Sequence, residues 1–510
     1  MSATLWQRFR QVARRQATDP AIRQGGESTD FAGLLARAAG WAAALDIAPG
    51  ERVVIAAQNG IGLAAAVPGI WARGAIPVFV PAEAPDSHLR HAVQKTGARA
   101  LLHDPGRARP EGLAAEVALL ALDAAAPAPA GAALPEGPGQ GGEAPGSIVF
   151  TSGSTGTPKG VVQAAATLAS GVDRVAMALG YRPGDTILCP IPFAFDYGWG
   201  QLLSLLLGGY PLVLPEPRGA IGLCAAIERH RPSILAGVPA VFADLLAGLA
   251  PIREIDRSSI RLITNTGSRI PDPVRQGLVA LFPEAALSLN YGLTETYRSA
   301  TLLVDLAAHH PASVGHALPG VELSVLRPDG SEAPPGEEGE IIHRGAGVFL
   351  GYWDEPERSA QVLRPDPFWT DPARPAPKAV FTGDLGHKDA EGRLYIHGRR
   401  DRQMKSMGVR VSPDEIEGLL LAGGLLREAA VVARPHEMLG DLIVAVVSLP
   451  EGGDPAEALK GLKRQARATM SPYMQPRDWI LLPALPRNPN GKVDYPALKR
   501  LAAGEGGAHG

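Results

Sequence analysis

The sequence predicts an α/β protein: a large N-terminal region of two α/β subdomains plus a small β unit, then a small α+β C-terminal domain. Three observations lead there. Short β-branched runs alternate with apolar residues at helical spacing as far as Leu289. From Gly315 to Gly398 the chain breaks into short alternating segments punctuated by Gly, Pro and Asp, as antiparallel strands joined by turns do. After Asp401 helix and strand signals mix over a stretch of domain size. A chain of 510 residues exceeds one core and implies two to four structural units. The boundary is expected between the regions 1–399 and 400–510.

Met1 to Gln16 interleaves Leu5, Trp6, Phe9 and Val12 with Arg8, Arg10, Arg14 and Arg15. Without a continuous apolar run it reads as an amphipathic helix, not a signal peptide. Asp30 is placed to cap a helix in which Phe31, Leu34, Leu35, Ala38, Trp41 and Leu45 recur at helical spacing. Strands are expected at Arg52–Ile55 and Ile76–Val80, and the Ala/Pro/Gly-rich stretch from Ala124 to Pro145 reads as a surface linker. Further strands are expected at Ile234–Val238, Ile260–Thr264 and Ala286–Leu289. In the C-terminal part a helix is expected near Pro413–Leu421, strands near Ala429–Ala433 and Leu442–Ser448, and a helix near Pro455–Met470. No internal repeat is present.

Composition narrows the function. Apolar residues make up 45% and charged residues 20%, the balance of a globular protein. A net charge of −3 gives no basic field for nucleic acid. Two cysteines, Cys189 and Cys224, make neither a disulfide framework nor a zinc site and fit a reducing cytoplasm. The most apolar stretch, Gln201–Leu214, is interrupted by Gly208, Gly209 and Pro211 and falls short of the roughly 20 residues a spanning helix needs. A cytoplasmic protein is expected.

The strongest local signal is Thr151-Ser152-Gly153-Ser154-Thr155-Gly156-Thr157-Pro158-Lys159-Gly160, directly after the strand-like Ser147–Phe150. Glycines let the backbone approach an anion, hydroxyls and exposed N–H groups can wrap phosphate oxygens, and Lys159 adds a point charge. It is not a Walker A loop, because no Gly-Lys-Ser/Thr ends it. Such a Ser/Thr/Gly run is, on composition alone, equally a flexible loop.

At this loop the sequence resembles the adenylate-forming superfamily of acyl-CoA synthetases, peptide-synthetase adenylation domains and luciferases. The resemblance continues in order through Tyr291-Gly292-Leu293-Thr294-Glu295, Thr382-Gly383-Asp384, and Gly398-Arg399-Arg400-Asp401 with Lys405, Gly408, Arg410 and Glu415-Ile416-Glu417. It ends at Pro489-Asn490-Gly491-Lys492-Val493-Asp494. Together the motifs span nearly the whole chain.

The resemblance implies the chemistry: ATP and a carboxylic acid react to give acyl-AMP and pyrophosphate, and a thiol then takes the acyl group. Carboxylate and α-phosphate are both anions, so the site must supply positive charge and a metal. Lys492 would bridge carboxylate and α-phosphate, Thr294 would touch that phosphate, and Glu295 would hold Mg2+. Thr151, Ser152, Gly153, Ser154, Thr155, Gly156 and Lys159 would cradle phosphates. Thr266, Gly267, Ser268, Asn290, Tyr291 and Gly292 would surround the nucleotide, with Asp384 on the ribose hydroxyls and Arg399 beside it. Asp401 would be the hinge about which a mobile C-terminal domain rotates between half-reactions, and Gly408 would line the thiol tunnel.

The acid is less legible. In Pro192-Phe193-Ala194-Phe195-Asp196-Tyr197-Gly198, Phe195 stands where many acyl- and aryl-CoA ligases carry a gating His, and Gln163–Ala166 replaces another. The segment resembles instead the Phe-Asp element of amino-acid-activating domains, so Phe195 and Asp196 are expected to bind substrate, Asp196 through an ammonium. The alternative is that Asp196 caps a helix beginning near Tyr197. Arg298, Ser299 and Trp199 are pocket candidates, with a surface ion pair the alternative for Arg298. The acceptor is expected to be coenzyme A or a phosphopantetheinyl carrier protein acting in trans, since only the Gly/Ala-rich tail Arg500–Gly510 follows Lys499. Competing readings are a fatty- or aryl-acid CoA ligase and, in another class, a catalytically inactive nucleotide-binding protein.

Overall fold

The computed structural model describes residues 3–124, 126–128, 137, 141–151, 158–247, 250–267, 269–306, 313–402, 404–406, 409–436, 440–450, 452, 454–488 and 492–504. The expected mixed α/β architecture is present, with a large N-terminal domain and a separate C-terminal one.

The largest sheet has 14 strands. Its first half is parallel: Pro20–Gln24, Leu212–Leu214, Ile187–Leu188, Ile234–Gly237, Leu262–Asn265 and Ala286–Tyr291 lie side by side. Its second half is antiparallel, through Ala300–Asp305, Ser313–Ala317, Leu394–Arg399, Lys378–Lys388, Gly339–Gly345 and Val321–Leu326. The β unit expected from Gly315 to Gly398 is therefore antiparallel, as its alternation predicts, but it continues the edge of the parallel sheet. A second sheet of seven strands sets Ala118–Ala121, Ala100–His103, Arg52–Ala56, Ile76–Phe79 and Pro145–Thr151 in parallel. Lys159–Ala164 and Gly351–Tyr352 close it antiparallel.

The main core lies between these sheets. Leu5–Arg15, Phe31–Ala44, Ile61–Ala72, Ala165–Ala178 and Asp196–Leu203 fill it, against Val53, Ile55 and Phe79 on one side and Ile187, Leu212 and Ile234 on the other. Ile61–Ala72 is apolar all round and buried, as a helix with no water-facing side must be. Trp199 packs against Trp71 and Phe79 in this core with tilted rings, at centroid separations of 6.0 and 4.6 Å. Helices Ala220–His230 and Asp272–Leu281 cover the outer face of the large sheet, and Asp86–Thr96 that of the other. Asp30 caps Phe31–Ala44, accepting from the Gly33 amide at 2.6 Å. The described part of the Ala124–Pro145 linker packs on this helix, where the Ala128 amide donates to the Ala36 carbonyl.

The C-terminal sheet has five strands: Val409–Val411, Met404–Ser406, Gly440–Ser448, Glu428–His436 and Asp478–Leu481. Helices Pro413–Ala422 and Pro455–Thr469 pack on one face and Tyr495–Ala502 on the other. One cation ties these parts together. Arg402 pairs with Asp414, donates to Glu417 at 2.7 Å, and lies 3.8 Å from the centre of the Tyr495 ring. The Tyr495 hydroxyl closes the cluster on Glu417 at 3.2 Å. No helix among the described residues is long and apolar enough to cross a membrane.

Candidate active site

Parallel strands bring their carboxyl ends to one edge, the usual place for ligands in such sheets. Leu262–Asn265 hands on to Thr266 and Gly267, and Ala286–Tyr291 to Gly292. The Thr266 hydroxyl reaches the Asn290 carbonyl at 3.4 Å, and Gly267 takes φ +88°. The Asn290 side chain is occupied inside the sheet: its amide donates to the Asn265 carbonyl at 2.9 Å and its oxygen accepts from Ser288 and Thr301. Ser268 lies outside the described residues, as do Ser152, Gly153, Ser154, Thr155, Gly156 and Gly408. The two flanks of the phosphate loop are described: Thr151 ends one strand, its hydroxyl buried, and Lys159 begins the next.

Lys159 crosses to Glu295. Its ammonium donates to Glu295 Oε1 at 2.7 Å and to the Tyr352 hydroxyl at 2.7 Å, and that hydroxyl donates to the same Oε1 at 2.7 Å. Burial works to raise the Glu295 carboxyl, but the Lys159 charge and the hydrogen bonds from Lys159 and Tyr352 bring it below its ordinary value. Glu295 is thus an ionised oxygen donor beside a lysine. Thr294 precedes it in the same 3₁₀ turn, Thr294–Thr296, and the Gln163 side chain donates to the Thr294 carbonyl.

A second cluster forms around Asp384. Tyr291 donates its hydroxyl to one carboxylate oxygen at 2.6 Å, and Arg399 donates to the other at 3.1 Å. Burial and the Asp384 charge raise the Tyr291 phenol well above its ordinary value, so it stays a neutral donor. Arg399 also donates to the Thr382 carbonyl at 2.9 Å, which fixes its plane.

Asp196 opens the helix Asp196–Leu203, with Phe195 in the cap position. No side chain caps this helix, so the capping alternative for Asp196 does not hold. Among the described residues its carboxylate makes no hydrogen bond or ion pair. Burial pushes it up to about 7, against the pull of Arg298 and Lys492 and with the push of Glu295. Asp196 therefore lies within electrostatic reach of Lys492 and Glu295, two groups expected at the reacting carboxylate. Lys492 is exposed, with its backbone and that of Asn488 tied by the Asn488 N–H to Lys492 carbonyl bond at 2.8 Å.

Arg298 is 8% exposed and lies 5.5 Å from the centre of the Tyr197 ring, so it is no surface ion pair. Ser299 bonds Thr296 at 2.9 Å and meets His343 Nδ1 at 3.0 Å, which makes it a structural partner. Asp401 sits in the 3₁₀ turn Arg400–Arg402 between the domains.

Three contributors escape a reading of the sequence: Tyr352, Gln163 and Tyr197, whose hydroxyl donates to the Thr264 carbonyl at 3.1 Å. Each acts on a residue far away in the chain. The available signal is that Gln163 is a buried amide among Val161, Val162 and Ala164 of its strand.

Comparison with known proteins fits this geometry. The profile of the family described as "AMP-binding enzyme" matches residues 9–353, and that of "AMP-binding enzyme C-terminal domain" matches 415–492. An indoleacetate–CoA ligase of Aromatoleum aromaticum is 32% identical over 73% of this chain and 70% of that protein. Tyrocidine synthase 2 of Brevibacillus parabrevis is 32% identical over 69% of this chain but 10% of its own length. The fold of an o-succinylbenzoate–CoA synthetase from Bacillus subtilis, solved with its acyl-adenylate, superposes with TM-score 0.84 over 98% of both chains at 24% identity. The chain belongs to the AMP-binding enzyme family, as an AMP-forming ligase that activates a carboxylic acid with ATP and passes the acyl group to a thiol.

Proposed function

We propose that the acid is an amino-bearing carboxylic acid, and that its acyl group passes to the phosphopantetheine of a carrier protein or to coenzyme A. The observation that carries this is Asp196, a half-buried carboxylate with no hydrogen bond or ion pair among the described residues, within reach of the charges of Arg298, Lys492 and Glu295. A substrate ammonium would supply the direct ion-pair partner that no described residue gives it.

The roles follow from the chemistry of each group. Glu295 fits a hard metal ion: it is ionised, and among the described residues no group of three or more His, Cys, Asp or Glu competes for one. One carboxylate suits Mg2+, which takes most of its ligands from phosphate and water. When bound, that ion would neutralise phosphate charge. Lys159 would exchange Glu295 for a phosphate oxygen, and Tyr352 would keep the carboxylate oriented. Asp384, oriented by Tyr291 and Arg399, would accept from the ribose hydroxyls, with Thr266 and Gly267 flanking the base. Lys492 would stabilise the charge shared by carboxylate and α-phosphate. After adenylation, rotation at Asp401 of the region from residue 400 onward would withdraw Lys492 and admit the thiol past Gly408.

A second reading, an aryl or fatty acid as substrate, is favoured by the indoleacetate–CoA ligase relative. Pyrophosphate release with Mg-ATP against amino, aryl and fatty acids, with Lys492→Ala as control, separates the two. Activity with amino acids that Asp196→Ala abolishes supports the first reading; activity confined to aryl or fatty acids overturns it. The control should lose a hundred- to a thousand-fold in rate, about 3–4 kcal/mol. ATP binding without turnover of any acid would instead indicate a nucleotide binder.

A further inference from the structure

A buried guanidinium is always charged, and its desolvation costs several kcal/mol unless something compensates it. Arg298 is 8% exposed as a residue, its guanidinium nitrogens are not among the fully buried unpaired atoms, and among the described residues its side chain meets neither a carboxylate within ion-pair distance nor a hydrogen-bond acceptor. Its guanidinium carbon lies over the Tyr197 ring, 5.5 Å from the centroid. A cation–π contact of this kind offsets part of the desolvation but satisfies none of the five N–H donors.

The backbone is bent to hold it there. Tyr297 takes φ +58° and ψ −63°, and the Arg298 amide donates back to the Thr296 carbonyl at 2.7 Å. That is a three-residue γ-turn of the rare, strained hand. Two glycines make room for it. A Cβ on Gly171 would sit 2.6 Å from the Tyr297 ring, and one on Gly292 would sit 3.0 Å from the Arg298 Cα. Strain of this sort persists where the surroundings over-determine it, and it concentrates at functional sites.

The turn directs Arg298 towards the acid side of the cleft. Among the charges that act on Asp196, that of Arg298 comes first, ahead of Lys492 and Glu295. Arg298 lies over the ring of Tyr197, the residue next to Asp196 in its helix, and so on the Asp196 side of the cleft. Arg174 adds a further positive charge near Tyr297.

We propose that Arg298 is a second recognition point in the acid pocket, and that the substrate carries, besides its reacting carboxylate, a second oxyanion that accepts from this guanidinium. The planar fork matches a carboxylate or sulfonate in two parallel hydrogen bonds. The inference rests on the Asp196 side of the cleft being the acid pocket, not on Asp196 binding an ammonium. If both hold, the substrate is an amino acid with an acidic side chain. If only this one holds, it is a dicarboxylate or sulfonated acid without an amino group.

The test uses matched acids that differ in the second oxyanion: aspartate against alanine, glutamate against 2-aminobutyrate, succinate against butyrate, sulfoacetate against acetate, and terephthalate against benzoate. Pyrophosphate release is measured for the full chain and for Arg298→Met and Arg298→Lys. In the parent, kcat/KM is expected to favour the oxyanion member of at least one pair about a hundredfold. Arg298→Met should abolish that preference while the KM for ATP holds within about twofold. Arg298→Lys, which keeps the charge but loses the fork, should cost about tenfold of the preference and serves if the methionine variant does not fold. Preference for the plain acid in every pair, no turnover of any oxyanion acid, or a preference unchanged in both variants would overturn the proposal. Asp196→Asn run on the same pairs separates the readings: failure of the ammonium reading shows only in the amino-bearing pairs.

Discussion

Asp196→Asn turns the electrostatics of the acid pocket into two measurable slopes. Burial holds the folded carboxyl at about 7 against an ordinary value of 3.8. At about 1.36 kcal/mol per pH unit this gap is about 4 kcal/mol, a ceiling on the cost of keeping the group ionised. Between those two values the folded chain binds the proton and the unfolded chain has released it. Stability therefore falls as pH rises from about 4 to about 7 and is level above. Asn carries no such penalty, so the variant should match the parent near pH 4 and exceed it at pH 8 by up to about 4 kcal/mol in chemical denaturation. Substrate affinity should move the other way. Below pH 7 an incoming ammonium must displace the proton, so the KM of the best amino-bearing acid should fall about tenfold per pH unit as pH rises, then flatten. In Asp196→Asn the profile should be flat and the KM high. A variant equally stable relative to the parent at pH 4 and pH 8 would refute the electrostatic argument, and a parent KM flat from pH 5.5 to 8 would refute the ammonium.

Tyr352→Phe removes a charge-assisted hydrogen bond to Glu295 worth about 1.5–3 kcal/mol, so kcat/KM for Mg-ATP should fall at least about tenfold and the Mg2+ concentration for half-maximal rate should rise; titration with Mg2+ at saturating acid checks both. Gly171→Ala drives a methyl into the Tyr297 ring, and overpacking of this kind costs about 1–3 kcal/mol; denaturation should register it, together with a raised KM for the acid and an unchanged KM for ATP. Arg402→Met leaves Glu417 buried without its cation, which should cost about 3 kcal/mol and lower the denaturation midpoint of the C-terminal domain, read by proteolysis of that domain.

The sequence discloses what is local and conceals what is not. The motif around Thr294 and Glu295 and the Asp30 cap are legible because neighbours in the chain make them. The strand Ala286–Tyr291 is legible from its short apolar run, but its antiparallel partner Ala300–Asp305 determines that the β unit extends the large sheet, and periodicity does not name a partner. Ile61–Ala72 escapes because a helix apolar on every side, with Pro68 inside it, shows no amphipathic period. Asp196 looks like a cap because Asp before an apolar turn commonly is one; the helix starts a residue earlier and takes the carboxylate with it. The Tyr352–Glu295 and Gln163–Thr294 contacts join residues 57 and 131 positions apart. No pattern in either segment encodes such a meeting.

The Arg402 cluster has a mechanical consequence. Arg402 immediately follows the expected pivot at Asp401, and its partners reach through Glu417 to Tyr495, three positions beyond Lys492. The bridge between Arg487 and Val493 pins the other side of that lysine's loop. Torque applied to the backbone at 401 would therefore reach Lys492 without slack, as through the arm of a crank. With the pivot proposed at Asp401, admission of the thiol and withdrawal of the lysine from the phosphate would be one rotation, and neither would begin without the other.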